Sequence, residues 1–268
     1  MARSELYAND HHWGDHAVDL DARDLPALKT RYLVHALPEY GRVVEIGCGG
    51  GRILNTVARH RPGLELHGCD IRPVLEPATF EFRLVDPDVP DLPYEASSVD
   101  VVIMYDVLEH LRDPGSSLTA AHRILRPGGL LVSFTPLEGQ PFSMYRWYRR
   151  LLGDELYVET KEHLQAFSER SLLAMVEPRF RVVEREYAYH LVGHCMDATL
   201  FALMKVPAIR DRFWSENPFY AEGEASATAP SPFERALRGA NAVAAFESRL
   251  LRRVRFGAAG LLFTAVAR

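Results

Sequence analysis

Residues 43–51 read VVEIGCGGG, a short apolar segment that runs directly into a glycine-rich turn. Glycine adopts positive φ at little steric cost and lets the backbone approach a ligand closely. Asp70 follows at the end of the next apolar segment, about twenty residues on, where an acidic side chain binds ribose hydroxyls in nucleotide-binding folds. The stretch therefore predicts a strand, a turn and a helix that together hold a nucleoside.

The spacing of the glycines separates two classes of cofactor. A dinucleotide fingerprint requires G-x-G-x-x-G at the start of a helix that receives a pyrophosphate. Gly47 and Gly49 fit that pattern, but Arg52 occupies the position of the third glycine, which falls at Gly51 instead. The pattern E-x-G-x-G-x-G, beginning at Glu45, suits a nucleoside without phosphate.

Five segments in this order resemble the motifs of the Rossmann-like (class I) S-adenosylmethionine-dependent methyltransferases. They are the glycine turn at 43–51, HGCDI at 67–71, the stretch from Asp86 to LPY at 92–94, VDVVIMYDVLEHL at 99–111 and LRPGGLLVSFTP at 125–136. The resemblance implies an α/β fold with a doubly wound, mostly parallel seven-stranded sheet. It also implies S-adenosylmethionine as methyl donor and a last strand, at 260–266, inserted antiparallel between the fifth and sixth strands.

The alternation of strands and helices between residues 41 and 135 independently favours a parallel sheet with helices on both faces. We expect one methyltransferase domain over residues 1–268. Its expected parts are an N-terminal lid or helix at 1–40, a cofactor-binding core at 41–135, a substrate-side insertion at 136–167 and a helical cap at 192–256 inside the last hairpin. Within this cap, residues 207–218 are expected to be irregular.

Composition indicates which classes of partner and which cellular compartment suit the chain. The net charge of −5 disfavours a nucleic-acid partner, which usually requires a basic surface. The three cysteines lack CxxC spacing, which argues for a reducing compartment and against a zinc site or a disulfide framework. The first residues are polar and contain no apolar signal core, so we expect a cytoplasmic protein.

The resemblance assigns the donor's nucleoside to residues at the ends of three strands. Asp70 is expected to accept hydrogen bonds from the ribose hydroxyls, Ile71 to pack on the adenine, and Asp86 to contact the adenine amine. Two alternatives stay open. Asp70 also suits the N-cap of a following helix, ahead of residues 71–73, and the acidic run that begins at Asp86 also suits a solvated loop.

The remaining expected donor contacts lie in the glycine turn and at the end of the fourth strand. Gly47, Cys48 and Gly49 are expected to pass close to the donor, with Glu45 orienting the loop amides or reaching the donor's ammonium group. Tyr105 is expected to offer its backbone carbonyl to that ammonium group, although a tyrosine here also suits the core.

Three residues are candidate catalytic groups, because transfer to a protonated acceptor requires a base close to the aligned reactants. His110 follows the fourth strand, His163 lies in a segment that the family often places over the pocket, and Tyr145 lies among aromatic and basic residues. Each has an alternative structural role. The histidines also suit structural positions, and the tyrosine also suits the apolar side of an amphipathic helix.

We expect a small-molecule acceptor, either a specialised metabolite or a sugar, with oxygen, nitrogen and carbon all open as the methylated atom. A lipid or quinone acceptor at a membrane surface is the second hypothesis, and a non-catalytic S-adenosylmethionine-binding module is the third. The segment FESRLLRRVRF at 246–256 suits a basic helix on an anionic membrane. A lid or dimer-contact helix is the favoured interpretation, with a homodimer as the corresponding assembly, because the chain as a whole is acidic.

Overall fold

The computed structural model describes residues 14–73, 79–86, 91–153, 162–204, 206–216 and 231–268. The strands are β1 Gly41–Ile46, β2 Leu64–Asp70, β3 Glu81–Leu84, β4 Val99–Tyr105, β5 Leu125–Pro136, β6 Phe180–Ala188 and β7 Gly260–Ala267. The helices are α1 Leu25–Ala36, α2 Arg52–His60, α3 Pro114–Ile124, α4 Met144–Leu152, α5 Glu169–Val176, α6 Leu191–Leu203, α7 Pro207–Glu216 and α8 Pro232–Leu251. A single 3₁₀ turn, Leu108–His110, follows β4.

The strands form one seven-stranded sheet in the order β3-β2-β1-β4-β5-β7-β6. Strands β1 to β5 are parallel to one another, whereas β7 is antiparallel to both β5 and β6. This arrangement confirms the predicted fold, including the insertion of the last strand. The sequence of β7, GLLFTAVA, is almost wholly buried, as expected for a strand with a neighbour on each side and cover on both faces.

Helices cover both faces of the sheet. Leu33 of α1 and Leu54 of α2 belong to one apolar cluster, together with side chains from one face of β1 and β4. Leu118 of α3 and Leu172 of α5 belong to a second cluster on the opposite face. The sheet is therefore doubly wound, and the carboxyl ends of its parallel strands meet at one edge.

The register brings the ends of three central strands to the same level. Ile46 of β1 pairs with Cys69 of β2 on one side and with Met104 of β4 on the other. Gly47, Asp70 and Tyr105 each come one residue later, so all three lie at this edge. In doubly wound sheets ligands bind at the carboxyl ends of the strands, where the strand order reverses.

In the described ranges between β6 and β7, the structure has three helices. Helix α6 packs on α8 through Glu247, whose carboxylate accepts hydrogen bonds from the backbone amides of Val192 and Gly193 at 2.9 and 3.0 Å. The expectation of irregular structure at 207–218 is wrong for the described part, which forms α7. Pro207 occupies the first position of that helix, where proline's fixed φ and missing N–H are tolerated.

Residues 1–13 of the expected N-terminal segment lie outside the described residues. None of the helices in the described ranges combines the length and apolar character needed to cross a bilayer.

Candidate active site

The turn after β1 depends on glycine. Gly47 and Gly49 have φ of +71° and +52°. A Cβ at Gly47 would lie 2.6 Å from Cγ2 of Val107, so a larger residue there would displace the loop after β4. The Gly47 and Cys48 amides donate to the carbonyl of Cys69, which holds the turn against the end of β2.

Asp70 is fixed at this turn. Its Oδ2 accepts a hydrogen bond from the Gly49 amide at 2.8 Å, and its Oδ1 accepts one from the Arg72 amide at 3.1 Å. Residues 71–73 are not helical, so the second contact forms a local turn and not the helix cap that the sequence left open. The first contact ties the carboxylate to the glycine turn. Ile71 follows directly, and Asp86 lies two residues beyond the end of β3, at the same edge of the sheet.

A cleft lies beside the turn and encloses about 450 Å³ of space, open solvent included. Glu45, Gly47, Cys48 and Tyr105, all expected to contact the donor, line this cleft together with Lys29 and Asp106. Tyr105 is also part of the core, since its hydroxyl donates to the carbonyl of Lys29 at 3.2 Å. Both interpretations of this tyrosine therefore remain open.

Glu45 supplies a test of whether a cationic ligand fits the cleft. The side chain is almost fully buried, and the Leu54 amide donates to it. Its Oε2 is buried without a hydrogen-bond partner in the part of the chain that the structure describes. Burial raises the pKa of this carboxyl group well above its usual value, with a smaller contribution from Asp70. An orphaned acceptor in the cleft wall fits a ligand that carries an ammonium group, as S-adenosylmethionine does.

Lys29 and Asp106 form a second feature of the cleft that the sequence analysis did not single out. Lys29 Nζ lies 2.5 Å from Asp106 Oδ2 and 4.0 Å from the centroid of the Phe134 ring. Asp106 has φ of +53°, an uncommon conformation for a residue other than glycine. A lysine on the buried side of α1 is the sequence signal that could have indicated this pair, because buried lysines are rare unless paired.

The two candidate histidines lie next to each other, close to the end of β4. The ring centroids of His110 and His163 are 4.7 Å apart, in an edge-to-face arrangement. Glu138 accepts a hydrogen bond from His163 Nδ1 at 2.8 Å, and both side chains are buried or nearly so. The amides of Leu164 and Gln165 donate to the carbonyl of Glu109, which fixes this segment beside the loop.

Glu109 is the buried acid of this cluster. Neither of its carboxyl oxygens has a hydrogen-bond partner in the described ranges, and burial raises the pKa of the group, with Asp106 as the next cause. Atoms of Glu109, His110 and His163 that could ligate a metal all lie within 4.8 Å of one another. The sequence analysis assigned no metal, and it did not foresee that these three groups would converge.

Tyr145 lies apart from the two histidines. Its ring stacks on His194 of α6 with centroids 5.1 Å apart, and it packs against Ala198. It is absent from the cleft lining described above, and its catalytic role stays a prediction.

Asp197 of α6 adds a further acid that sequence reasoning missed. Burial raises the pKa of its carboxyl group to about 8, and the charges of Glu138 and Asp106 act in the same direction. The helical segment between β6 and β7 thus places a carboxyl group within electrostatic reach of both the cleft and the histidine pair.

An otherwise parallel sheet with β7 antiparallel between β5 and β6, flanked by helices on both faces, is the Rossmann-like methyltransferase fold. A family model described as "Methyltransferase domain" matches residues 19–179, and the chain belongs to this family. The predicted class and the predicted donor, S-adenosylmethionine, are confirmed by this membership.

Curated relatives cover part of the chain. A ubiquinone biosynthesis O-methyltransferase from Cereibacter sphaeroides is 32% identical over 168 residues, which span 52% of this chain and 66% of the relative. A probable S-adenosylmethionine-dependent methyltransferase from Mycolicibacterium smegmatis is 34% identical over 100 residues, or 35% of this chain and 37% of the relative. The chain thus matches just under two thirds of the first relative's length and a smaller share of the second.

Solved structures share the fold at low identity. A SAM-dependent methyltransferase from Methanosarcina mazei superimposes with a TM-score of 0.51 at 16% identity, covering 88% of this chain and 96% of its own. Phosphoethanolamine N-methyltransferase 2 from Haemonchus contortus, solved with S-adenosyl-L-methionine, gives 0.52 at 17% identity, covering 90% of this chain and 51% of its own. A (4+2)-cyclase, SpnF, gives 0.57 at 17% identity over 96% of this chain and 86% of its own, so the fold by itself does not decide the reaction.

Proposed function

We propose that this protein transfers the methyl group of S-adenosylmethionine to a hydroxyl group of a small molecule, a specialised metabolite or a sugar. The single observation that carries the choice of a hydroxyl is the contact between Glu138 and His163. A hydroxyl must lose its proton during methylation, and a histidine whose other nitrogen is held by a carboxylate is suited to accept it.

The donor's part in this proposal is confined to the cleft. S-adenosylmethionine supplies an electrophilic methyl group on a sulfonium. Asp70 binds the ribose, Glu45 attracts the ammonium group, and the glycine turn lets the backbone lie against the nucleoside. These contacts orient the methyl group toward an acceptor, and alignment of the reacting atoms is the protein's main contribution to such a displacement.

The acceptor's part is assigned to the cluster beside the cleft. Glu138 holds His163 by Nδ1, so that Nε2 is the nitrogen that accepts the proton. Glu109 is buried beside the two rings, and one atom of its carboxyl group lies within 4.8 Å of a ring nitrogen of each. The name of the Cereibacter sphaeroides relative, an O-methyltransferase, supports a hydroxyl acceptor without identifying it.

The test begins with isotope-labelled methyl donor, an extract of small molecules and mass spectrometry of the labelled product. Once the acceptor is identified, we expect His163→Ala to lower kcat by about 10²–10⁴-fold, because general base catalysis contributes a rate acceleration of about this size. Glu138→Gln keeps the shape of the side chain but not its charge, and should lower kcat less and shift the pH profile.

Donor affinity, measured by calorimetry, is the control, since both variants should bind S-adenosylhomocysteine as the unchanged protein does. Transfer to an amine or carbon atom would contradict the hydroxyl assignment. Full activity of His163→Ala, or loss of activity on adding a chelator that added metal restores, would contradict the role of His163 as a base.

A further inference from the structure

Two helices each expose an apolar stripe to solvent. On α4, Met144, Trp147 and Leu151 are exposed at helical spacing, and on α8 the same is true of Val243, Phe246 and Leu250. Side chains three or four residues apart lie on one face of a helix, so these are two continuous stripes rather than scattered residues. Isolated exposed apolar residues are common, but contiguous stripes mark a surface that binds something.

A ring contact links the segments that flank the two stripes. The rings of Phe142, before α4, and Phe256, after α8, lie 5.9 Å apart, and each residue is 76% exposed. The carbonyl of Val254 accepts a hydrogen bond from His190 Nε2 at 2.8 Å, which brings the exposed Leu191 of α6 next to this pair. We call the two stripes and this junction the apolar-basic surface.

The same surface is rich in arginine. Arg146 and Arg150 are exposed on α4, and Arg249 and Arg253 are exposed at the end of α8. Among the neighbouring arginines, Arg255 lies 2.5 Å from Glu169 and adds less net charge. This basic concentration stands out in a chain whose net charge is −5.

We propose that the apolar-basic surface docks this protein onto an anionic membrane surface. Aromatic and aliphatic side chains enter the boundary between headgroups and acyl chains, while arginines bind lipid phosphates, each contributing about 1 kcal/mol. A second copy of the chain is the poorer occupant, because a symmetric contact through this surface would bring arginines against arginines. A lid or dimer-contact helix at 246–256 was the favoured interpretation of the sequence. The exposure of Phe246 and Leu250 argues against a lid, and the arginines argue against a dimer.

The test is co-sedimentation of the full chain with vesicles. We expect binding to vesicles that mix phosphatidylcholine with phosphatidylglycerol, little binding to phosphatidylcholine alone, and weakening by salt. Trp147→Ser combined with Phe246→Ser should lower the partition coefficient by about tenfold or more. Arg249→Glu combined with Arg253→Glu should lower it by a similar factor and reduce the salt dependence.

Matched controls change exposed residues of the same kinds elsewhere. Tyr40→Ser with Leu84→Ser, and Arg59→Glu with Arg181→Glu, should leave vesicle binding unchanged. Binding of S-adenosylhomocysteine shows that each variant is folded. A variant that binds this compound but not vesicles tests the membrane proposal alone, because the proposed function does not depend on vesicle binding. Equal sedimentation of surface and control variants would overturn the proposal. The proposal would also be overturned if the protein did not bind anionic vesicles and instead formed a dimer that the surface variants dissociate.

Discussion

Asp70 shows how one side chain serves both the turn and the proposed ligand site. It accepts hydrogen bonds from the Gly49 and Arg72 amides, so its carboxylate is already oriented beside the glycine turn. A preoriented acceptor loses less conformational freedom when a ligand's hydroxyls arrive.

We therefore expect Asp70→Ala to weaken S-adenosylhomocysteine binding by about 1.5–3 kcal/mol, the range for hydrogen bonds to a charged group. Titration calorimetry measures this directly. Arg72→Ala, which retains the backbone amide, is the matched control and should bind almost normally. Unchanged affinity in a folded Asp70→Ala protein would remove the ribose contact from the proposal.

Asp197 gives a pH dependence of stability whose sign follows from its burial. Because the folded-state pKa is raised to about 8, the folded protein holds this proton more tightly than the unfolded chain does. Between about pH 4 and pH 8 the unfolded chain ionises first, so this group's contribution to stability falls as pH rises.

Asp197→Asn removes that dependence. We expect the variant to be more stable than the unchanged protein at pH 8, by about 1–3 kcal/mol, and to lose most of that advantage at pH 5. Urea unfolding at the two pH values measures the difference. A stability difference that is the same at both would mean that the carboxyl group titrates normally.

The residues of the cleft were more predictable than those of the neighbouring cluster. Glu45, Gly47 and Cys48 are contiguous with the motif that predicts them. Glu138 and Asp197 reach the site from elements distant in the chain, and neither lies in a pattern that indicates which way its side chain points. Only the fold brings them to His163 and Asp106.

At the scale of elements, the start of α5 has a clear local cause. Serine is a favoured N-cap residue, and the Ser168 hydroxyl accepts a hydrogen bond from the Ser171 amide while the Ser171 hydroxyl accepts one from the Ser168 amide. The sequence did not predict helix α7, because the prolines and polar residues of that stretch are typical of a loop. In a sequence, a proline at the first position of a helix cannot be distinguished from a proline that ends one.

One buried hydroxyl connects α8 to the residue that follows β6. Ser248 Oγ is fully buried, accepts the Tyr189 amide at 3.0 Å and donates to the Ala244 carbonyl at 2.7 Å. We expect Ser248→Ala to lower the free energy of unfolding by about 1–3 kcal/mol, because it leaves the Tyr189 amide unsatisfied.

Chemical unfolding measures this effect. Ser98→Ala is the matched control, since Ser98 is part-exposed and its hydroxyl donates to the Glu95 carbonyl; it should change stability by less than about 0.5 kcal/mol. Equal effects of the two substitutions would show that the Ser248 contact does not hold α8 in place.

For the whole molecule, alternation in the sequence predicted the parallel part of the sheet, and the family resemblance predicted the place of β7. Periodicity could not predict where α6 and α8 would pack. An amphipathic helix shows which of its faces is apolar, but not which surface that face will cover. In this fold the apolar stripe of α8 covers nothing among the described residues.

Ligand binding should stabilise the whole fold, because S-adenosylhomocysteine binds the folded chain and not the unfolded one. At one hundred times its Kd we expect a gain of about 2.7 kcal/mol, or a rise in Tm of roughly 5–10 °C. Thermal unfolding with and without the compound measures it. NAD at the same concentration is the control, and stabilisation by NAD alone would contradict the class of nucleoside assigned from Gly51 and Arg52.

The place of β7 also governs how the chain is made. Strand β6 sits at the sheet's edge with β7 as its strand neighbour, and β7 also flanks β5. During synthesis, therefore, β6 leaves the ribosome with no strand to pair with, and β5 keeps an open side until residues 260–267 emerge. Strand edges left open in this way invite pairing with other chains. A nascent chain stalled before residue 260 is the form of this protein most exposed to aggregation and most in need of a chaperone.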